Sequence, residues 1–288
     1  MLAVVFAVLA GVLFGVLALT VRSGLKRGAD PEVGALVVTG VGFLVGAALA
    51  VPELVSGLSP SELWPFVLTG ALVPGASQIL FILAVRDAGP SRAAILIGTA
   101  PLISVLIALL LLGEPFRPLL LAGTALIVAG GATLAGERAR PSHFRVLGAV
   151  LALACAALFA VRDNAVRWAA RDAHPPALTA SAASLLAAAA VVGLYLLIFR
   201  RRGLPGKLRA ALPAFAAAGI TLGLAYASLV EAFDHGRVSI VAPLNATQSL
   251  WAVILAAVLI GRGEEIGRRT VLAGLLVVAG GAMISVLR

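Results

Sequence analysis

The chain has 288 residues, of which 61% are hydrophobic and only 12% are charged. Globular proteins carry roughly 45–50% apolar residues, so this composition excludes a soluble fold. The formal net charge of +9 would suggest a nucleic-acid partner in a soluble chain. Here the basic residues mostly lie between apolar stretches, where lysine and arginine set the orientation of a membrane protein, so nucleic-acid binding is not expected.

Apolar stretches of about 17–25 residues, the length that crosses ~30 Å of hydrocarbon as a helix, divide the chain. Lipid offers no partners for backbone N–H and C=O groups, so such unbroken stretches must be helical. The predicted spans are 2–21, 33–51, 64–85, 92–112, 117–135, 146–168, 177–199, 209–230, 237–260 and 268–287. The first lacks the basic region and cleavage site of a signal peptide. The sequence therefore predicts an all-α integral membrane protein with ten transmembrane helices.

The second half of the chain repeats the first. Glu114 and the pair Gly130-Gly131 correspond to Glu264 and the pair Gly280-Gly281 at a shift of 150 residues, and Phe14 and Pro31 correspond to Phe159 and Pro176 at a shift of 145. We infer two five-helix units, residues 1–140 and 141–288. Because each unit has an odd number of spans, the second enters the bilayer from the opposite side. The units are therefore expected to be inverted repeats, an architecture common among transporters.

This pattern resembles the EamA-type branch of the drug/metabolite transporter superfamily. The resemblance rests on the duplication, on the Gly-Gly pairs and on two matching segments that close the fourth and ninth spans, Leu111-Leu112-Gly113-Glu114 and Leu259-Ile260 with Gly263-Glu264. It covers nearly the whole chain and implies a ten-helix, exporter-like carrier with a central cavity lined by both repeats. Two departures are that Phe14-Gly15 becomes Phe159-Ala160 in the second copy and that Pro101 falls opposite Trp251. A substrate is therefore not carried over.

Few polar side chains interrupt the spans, and these are the candidate substrate-binding residues. At 1.5 Å per helical residue, Gln248 lies near the midplane, ~17 Å beyond Arg237 and ~21 Å before Arg262. Pro243 nearby can free a backbone carbonyl. The candidates are Asn245, Thr247, Gln248 and Trp251 in the ninth span, Ser77 and Gln78 in the third, Tyr226 in the eighth and Arg162 in the sixth. Such groups could instead bond neighbouring helices, and Tyr226 could be an interfacial anchor.

Arg162 and Asp163 are the charges that intrude most clearly into an apolar stretch. Adjacent helical residues point about 100° apart, so we expect Asp163 to pair with Arg167 and Arg162 to have no partner on its own helix. Arg162 then either snorkels to the headgroups or faces a cavity, where it would favour a carboxylate or a phosphate. Asp163 and Glu231 are the candidates for proton coupling.

Other residues have simpler interpretations. Glu114 and Glu264 are interpreted as solvated residues at helix ends, and the Gly-Gly pairs as sites of close helix packing. Cys155 has no cysteine partner, and His143, His174 and His235 lack the spacing of a metal site. We therefore expect no metal and no other cofactor.

The loops after odd-numbered spans carry about 16 lysines and arginines, against about five on the opposite side. The positive-inside rule then predicts that both termini lie outside. The family resemblance implies the reverse, with both termini in the cytoplasm. The orientation therefore stays open at this point.

The leading functional hypothesis is a secondary transporter that exports a small organic metabolite or drug-like solute across the cytoplasmic inner membrane. It would act by alternating access, binding its substrate between the repeats near the midplane, as a monomer or weak homodimer in the lipid bilayer. No P-loop is present to drive transport with ATP. The alternatives are a lipid-modifying membrane enzyme, which would need clustered carboxylates or histidines, and a channel, which would need a filter-like loop or a ring of charge. The sequence shows neither feature, so no catalytic residue is expected.

Overall fold

A computed structural model describes residues 1–54, 60–78, 80–81, 84, 96–134, 146–173, 176–248, 250–252, 254–255 and 268–285. These residues are almost entirely helical. The helices are α1 (Leu2–Lys26), α2 (Pro31–Leu54), α3 (Pro60–Gly70) with a following π-helical turn (Ala71–Ala76), α4 (Ala100–Leu111), α5 (Pro118–Leu134), α6 (Val146–Ala173), α7 (Ala177–Phe199), α8 (Leu204–His235), α9 (Val238–Asn245) and α10 (Arg268–Ser285).

Five described segments are long and apolar enough to cross a membrane: Leu2–Lys26, Pro31–Glu53, Val146–Ala170, Ala177–Phe199 and Leu204–His235. Shorter apolar helices cover parts of the fourth, fifth and tenth predicted spans, at Ala100–Leu111, Pro118–Thr133 and Leu272–Gly281. Parts of the predicted third, fourth and ninth spans, and the last residues of the fifth and tenth, lie outside the described residues. The chain is therefore a multi-pass helical membrane protein, with five of the predicted spans met by long helices.

The third predicted span is not a continuous α-helix. After Gly70 the chain enters the π-helical turn, in which Val73 has φ −140° and ψ 116°. Pro74 follows Val73, and a proline both lacks an N–H group and disfavours the α conformation of the residue before it. The N–H of Ser77 bonds the carbonyl of Leu72. This arrangement leaves the Val73 carbonyl free to accept a hydrogen bond from a side chain.

Helices α5 and α10, which occupy corresponding positions in the two halves, pack against each other through glycines. A Cβ atom added at Gly123 would lie 2.8 Å from the carbonyl oxygen of Gly280, and one added at Gly130 would lie 2.9 Å from that of Ala273. The predicted role of Gly130 and Gly280 in close helix packing is confirmed. Residue numbers rise along α5 as they fall along α10 in these contacts, so the two helices are antiparallel.

Helices α2 and α7, another corresponding pair, are also antiparallel. Near the end of α2, Glu53 bonds the start of α7 at Thr179. Near the start of α2, Leu36 lies against Gly193 in the later part of α7. In each of these two pairs, therefore, the helix of the first half and the corresponding helix of the second half run in opposite directions.

Helix α8 packs against α1 and α2 through small residues. The ring of Phe215 lies against Gly24 and Gly34, where an added Cβ would come within 2.7 Å and 2.6 Å of it. Gly219 and Gly223 lie similarly close to side chains of α2. Lipid gives no hydrophobic drive for helix association, so such close backbone approaches supply packing contacts instead. They place the middle of α8, including Tyr226, inside the protein.

Candidate functional site

A polar cluster lies where α6 meets α4, α8 and the π-helical turn. We call Arg162, Asp163, Asn164, Ser104 and Tyr226, with the carbonyl of Val73, the buried cluster. Arg162 is 5% exposed, Asp163 7% and Tyr226 2%. Helix α6 has 28 residues, so Arg162 lies roughly 24 Å from its start and roughly 17 Å from its end. The alternative that Arg162 snorkels to the headgroups is wrong, because α6 extends beyond the predicted span and other helices enclose the side chain.

The partners predicted for the charged residues of α6 are wrong. Arg162 Nε lies 2.7 Å from Asp163 Oδ1, so Asp163 pairs with the neighbouring arginine. Their Cα–Cβ bonds point apart, but the long arginine side chain bends round the helix. Arg167 Nη1 instead donates hydrogen bonds to the carbonyl oxygens of Phe233 at 2.8 Å and Asp234 at 2.9 Å. It thereby binds carbonyls of the last turn of α8, which lack partners within that helix.

The Arg162–Asp163 pair is incompletely hydrogen-bonded. Arg162 Nε and Asp163 Oδ1 are buried and close, but neither takes part in an aligned hydrogen bond within the part of the chain that the structure describes. The other contacts are long: Ser104 Oγ donates to Asp163 Oδ2 at 3.4 Å, and Arg162 Nη1 donates to Tyr226 Oη at 3.4 Å. Burying charges is costly unless they are fully hydrogen-bonded. Buried polar groups without an aligned hydrogen bond are uncommon in proteins and call for an explanation.

Tyr226 connects the ion pair to the break in the third span. Its hydroxyl donates a 2.8 Å hydrogen bond to the carbonyl oxygen of Val73. The guanidinium carbon of Arg162 lies 5.7 Å from the ring centres of both Tyr226 and Phe159, within the range of cation–π attraction. Tyr226 is therefore an interior residue, and the alternative of an interfacial anchor is wrong.

Three members of the buried cluster were not predicted from the sequence. Asn164 Nδ2 donates to the carbonyl of Ser104 at 3.0 Å and to that of Ala160 at 2.9 Å. Ser104 is wholly buried on α4, and Val73 contributes only its backbone. The one feature of the sequence that could have indicated Asn164 is that it directly follows the two charged residues Arg162 and Asp163. The contacts of Ser104 and Val73 depend on how the helices are rotated, which their local sequence does not indicate.

The candidates of the ninth predicted span make no hydrogen bond to the buried cluster among the described residues. Thr247 is buried and donates to the carbonyl of Leu244 at 2.7 Å, and the Cβ of Trp251 would lie 2.8 Å from a Cβ at Gly15 of α1. Asn245 is half-buried with Oδ1 unbonded among the described residues, and Gln248 is exposed. Their described contacts join them to α1 and to their own segment, and α9 itself packs against α4 and α6.

The remaining candidates are separate from the buried cluster or lie at its edge. Ser77 is buried, and its carbonyl accepts a 3.7 Å contact from Cys155 Sγ of α6. Gln78 is half-buried. Glu231 Oε2 lies 3.6 Å from His235 Nδ1 near the end of α8. Within the described ranges, no three histidine, cysteine or acidic residues are grouped so that they could hold a metal ion.

Two acidic residues cap helices of the opposite half. Glu114 accepts hydrogen bonds from the backbone N–H groups of Val238 at 2.9 Å and Ser239 at 3.1 Å, at the start of α9. Glu53 accepts from the N–H of Thr179 at 2.8 Å, at the start of α7. Free N–H groups at a helix start attract a carboxylate. Glu114 follows the end of α4 as expected, but it is half-buried and also caps α9, while Glu264 lies outside the described residues.

Comparison with known proteins gives two results. Residues 1–135 and residues 146–286 each match the model of the family described as "EamA-like transporter family". A solved structure titled "Crystal structure of protein" is similar with a TM-score of 0.83 and 27% identity, covering 99% of this chain and 96% of that chain. No curated protein matches. Both halves of the chain thus match the same family model, and the overall fold is that of the solved structure.

Proposed function

This chain belongs to the EamA-like transporter family, and from that premise we propose that it is a secondary transporter of a small organic solute. In this proposal it exports the solute across the cytoplasmic membrane by alternating access of its two halves. The solute binds between the halves, near the middle of the membrane. Family membership favours neither a lipid-modifying enzyme nor a channel.

The observation that carries this proposal is the composition of the buried cluster. Ser104 and the Val73 carbonyl come from the first half of the chain, whereas Arg162, Asp163 and Tyr226 come from the second. Ionisable residues inside a membrane are costly, and they usually mark the path of a substrate or ion. Because both halves contribute groups to this cluster, a change in the relative position of the halves would change the distances between those groups.

Two features of the fold support alternating access. The corresponding helices α5 and α10 pack antiparallel, as do α2 and α7. Antiparallel packing of corresponding helices is the arrangement expected of inverted repeats, which many carriers use to expose one site to either side. The break at Val73 and Pro74 also supports the proposal, because irregular backbone within a membrane is tolerated where it is enclosed by protein or lines a cavity.

The polar residues near α9 supply a second part of the proposed path. Asn245 has a buried oxygen without a hydrogen bond among the described residues, and Gln248 is exposed within a predicted span. We assign Thr247, Trp251, Ser77 and Gln78 to the walls of the same path. In this proposal the substrate meets the buried cluster at one end and these groups along the way.

Transport by variants in reconstituted vesicles tests the proposal. A stability-shift screen of the purified protein first identifies a solute, because a ligand of the folded state raises the melting temperature. We expect Asn245→Ala and Gln248→Ala to reduce its transport about tenfold or more, the effect of losing ~1.4 kcal/mol of binding. Membrane insertion should be unchanged.

Thr20→Val is the matched control, since within the described residues the Thr20 hydroxyl bonds only carbonyls of its own helix, Val16 at 3.0 Å and Leu17 at 2.9 Å. It should transport at the rate of the unmodified protein. If both amide variants also do so, these residues are structural and do not belong to the path.

A further inference from the structure

The Arg162–Asp163 pair is electrically neutral, and within the described residues no other charged side chain contacts it. The groups that face it are Tyr226 from α8 and Ser104 from α4. The nearby charged residues of α6 and α8 are engaged elsewhere: Arg167 binds carbonyls at the end of α8, and Glu231 lies beside His235. Among the described residues, each member of the pair is therefore the other's counterion.

Arg162 has binding capacity that the described part of the chain does not use. A guanidinium has five N–H donors in a planar fork that matches the two oxygens of a carboxylate. In the described structure Arg162 makes a single hydrogen bond, the 3.4 Å contact from Nη1 to Tyr226. Its Nε has no aligned acceptor, although Asp163 Oδ1 lies 2.7 Å away. An incoming carboxylate could therefore bind donors of the Arg162 guanidinium that Asp163 does not contact.

We propose that the substrate carries a carboxylate that replaces Asp163 as the partner of Arg162, and that the displaced Asp163 takes up one proton. The proposal rests on the transport function proposed above and names the class of substrate and the coupled ion. A carboxylate left unpaired in a dry site is unfavourable, so Asp163 binds a proton from the aqueous side when Arg162 turns to the substrate. No covalent bond other than this O–H bond forms.

The charge of the site is then the same in both states. The empty site holds one guanidinium and one carboxylate, and the loaded site holds one guanidinium, one substrate carboxylate and one neutral carboxylic acid. The carrier therefore moves a carboxylate and a proton together, in the same direction, without net charge. A phosphate, which carries about −1.5 to −2 at neutral pH, would leave excess negative charge in the membrane. The site favours a singly charged acid for this reason.

Binding can be tested with acids and their neutral amides as probes. We use lactate, pyruvate and benzoate, each beside its amide, and follow the melting temperature of the purified protein. The acids should raise it and the amides should not. Since one proton binds with each acid, the apparent Kd should rise about tenfold per pH unit on the alkaline side. Stabilisation by amides alone, or by no acid of the panel, would overturn the proposal.

Coupling can be tested in vesicles loaded with a pH-sensitive dye. Entry of the acid that binds most tightly should acidify the lumen, at a rate that a potassium–valinomycin potential does not change. Vesicles containing Arg162→Gln give the passive leak of undissociated acid. Asp163→Asn should still bind the acid, but its affinity should not depend on pH. It should transport the carboxylate without a proton, so that each acid moves one negative charge across the membrane. Proton flux through Asp163→Asn equal to that of the unmodified protein would refute the role of Asp163.

Ser104→Ala is the second variant, in case Asp163→Asn does not fold. It removes the hydrogen bond to Asp163 Oδ2 and leaves both charges in place. The pH at which acid binding is half-maximal should move, whereas an unchanged pH dependence would contradict the assignment of the proton to Asp163. If the protein transports amides without proton flux, this inference fails while the transport function stands. If no solute crosses at all, the transport function itself fails.

Discussion

The first helix of each half meets the opposite half in a different way. Helix α1 lies against residues 244–247 and 251–252 through Gly11 and Gly15, where an added Cβ would come within 3.0 Å of Thr247 and 2.8 Å of Trp251. We call this contact the glycine seam. Helix α6 lies against α4 at the buried cluster, where Asn164 and Asp163 bond Ser104. One contact is close and mostly apolar, and the other contains buried charges.

The positions that carry the charges in α6 are apolar in α1. At the shift of 145 residues that relates Phe14 to Phe159, Arg162 and Asp163 correspond to Leu17 and Ala18. Leu17 packs against the main apolar core. The same helix of the duplicated unit can therefore be held in place without any charge. The proposed binding role of these charges accounts for this difference, since a buried ion pair is costly and the fold of the repeat does not require one.

The difference between α1 and α6 can be tested most directly by giving α6 the residues of α1. Arg162→Leu alone should lower the free energy of unfolding by about 3–5 kcal/mol, because it leaves Asp163 buried without a counterion. The double variant Arg162→Leu with Asp163→Ala should recover most of this loss, since both charges are gone. It should nevertheless bind no acid. Melting temperatures in detergent measure the stability, and the acid-binding screen measures the binding. A double variant as unstable as the single one would contradict the statement that the fold does not need these charges.

The glycine seam can be tested by adding one methyl group. Gly15→Ala places a Cβ 2.8 Å from the Cβ of Trp251 and 2.9 Å from the backbone N of Ala252. Such overpacking typically costs about 1–3 kcal/mol of folding free energy. Gly40→Ala is the matched control, because an added Cβ there meets nothing within 4 Å and alanine favours a helix by about 1 kcal/mol. Equal melting temperatures for the two variants would show that the seam is not closely packed.

Tyr226→Phe tests the connection between the buried cluster and the broken third helix. It removes the 2.8 Å hydrogen bond to Val73 and the long contact with Arg162. We expect a loss of about 1–2 kcal/mol, because the Val73 carbonyl is left without that partner. Tyr195→Phe on α7 changes a hydroxyl outside the cluster and should cost less. Thermal unfolding of both variants distinguishes them, and a larger loss for Tyr195→Phe would contradict the role given to Tyr226.

Much of the architecture follows from the sequence because its signals are local. Apolar length predicts the long helices, and the spacing of Phe14, Glu114 and Gly130 predicts the duplication that both family matches cover. The pairing of Arg162 could not be predicted from helix geometry alone, because it depends on the reach of a flexible side chain. The break at Val73 is a further case: Pro74 indicates a kink, but only the packing of α8 decides that Tyr226 takes the freed carbonyl.

The smallest expected effect concerns an ion pair at the surface, which contrasts with the buried pair. Lys207 Nζ lies 3.1 Å from Asp30 Oδ2, with the side chains 42% and 28% exposed. Asp30 Oδ1 also accepts hydrogen bonds from the N–H groups of Glu32 and Val33 at the start of α2. Partial burial raises the pKa of Asp30, but the bonds from Lys207 and from these two N–H groups outweigh it and lower the pKa below 3.8.

A carboxyl group with a lowered pKa stabilises the fold above its unfolded pKa, and that contribution is lost as the pH falls through its folded pKa. Asp30→Asn should therefore cost less than about 1 kcal/mol at pH 7, since solvent and salt screen an exposed pair. The difference from the unmodified protein should shrink as the pH falls below about 4, and high salt should reduce the part due to Lys207. Lys207→Gln removes the ion pair alone, so whatever Asp30→Asn costs beyond it measures the cap of α2. A difference in unfolding free energy that grows on acidification would contradict the role given to the Asp30 carboxylate. The size of the difference at pH 7, set beside the loss expected for Arg162→Leu, compares a charge pair at the surface with the pair inside.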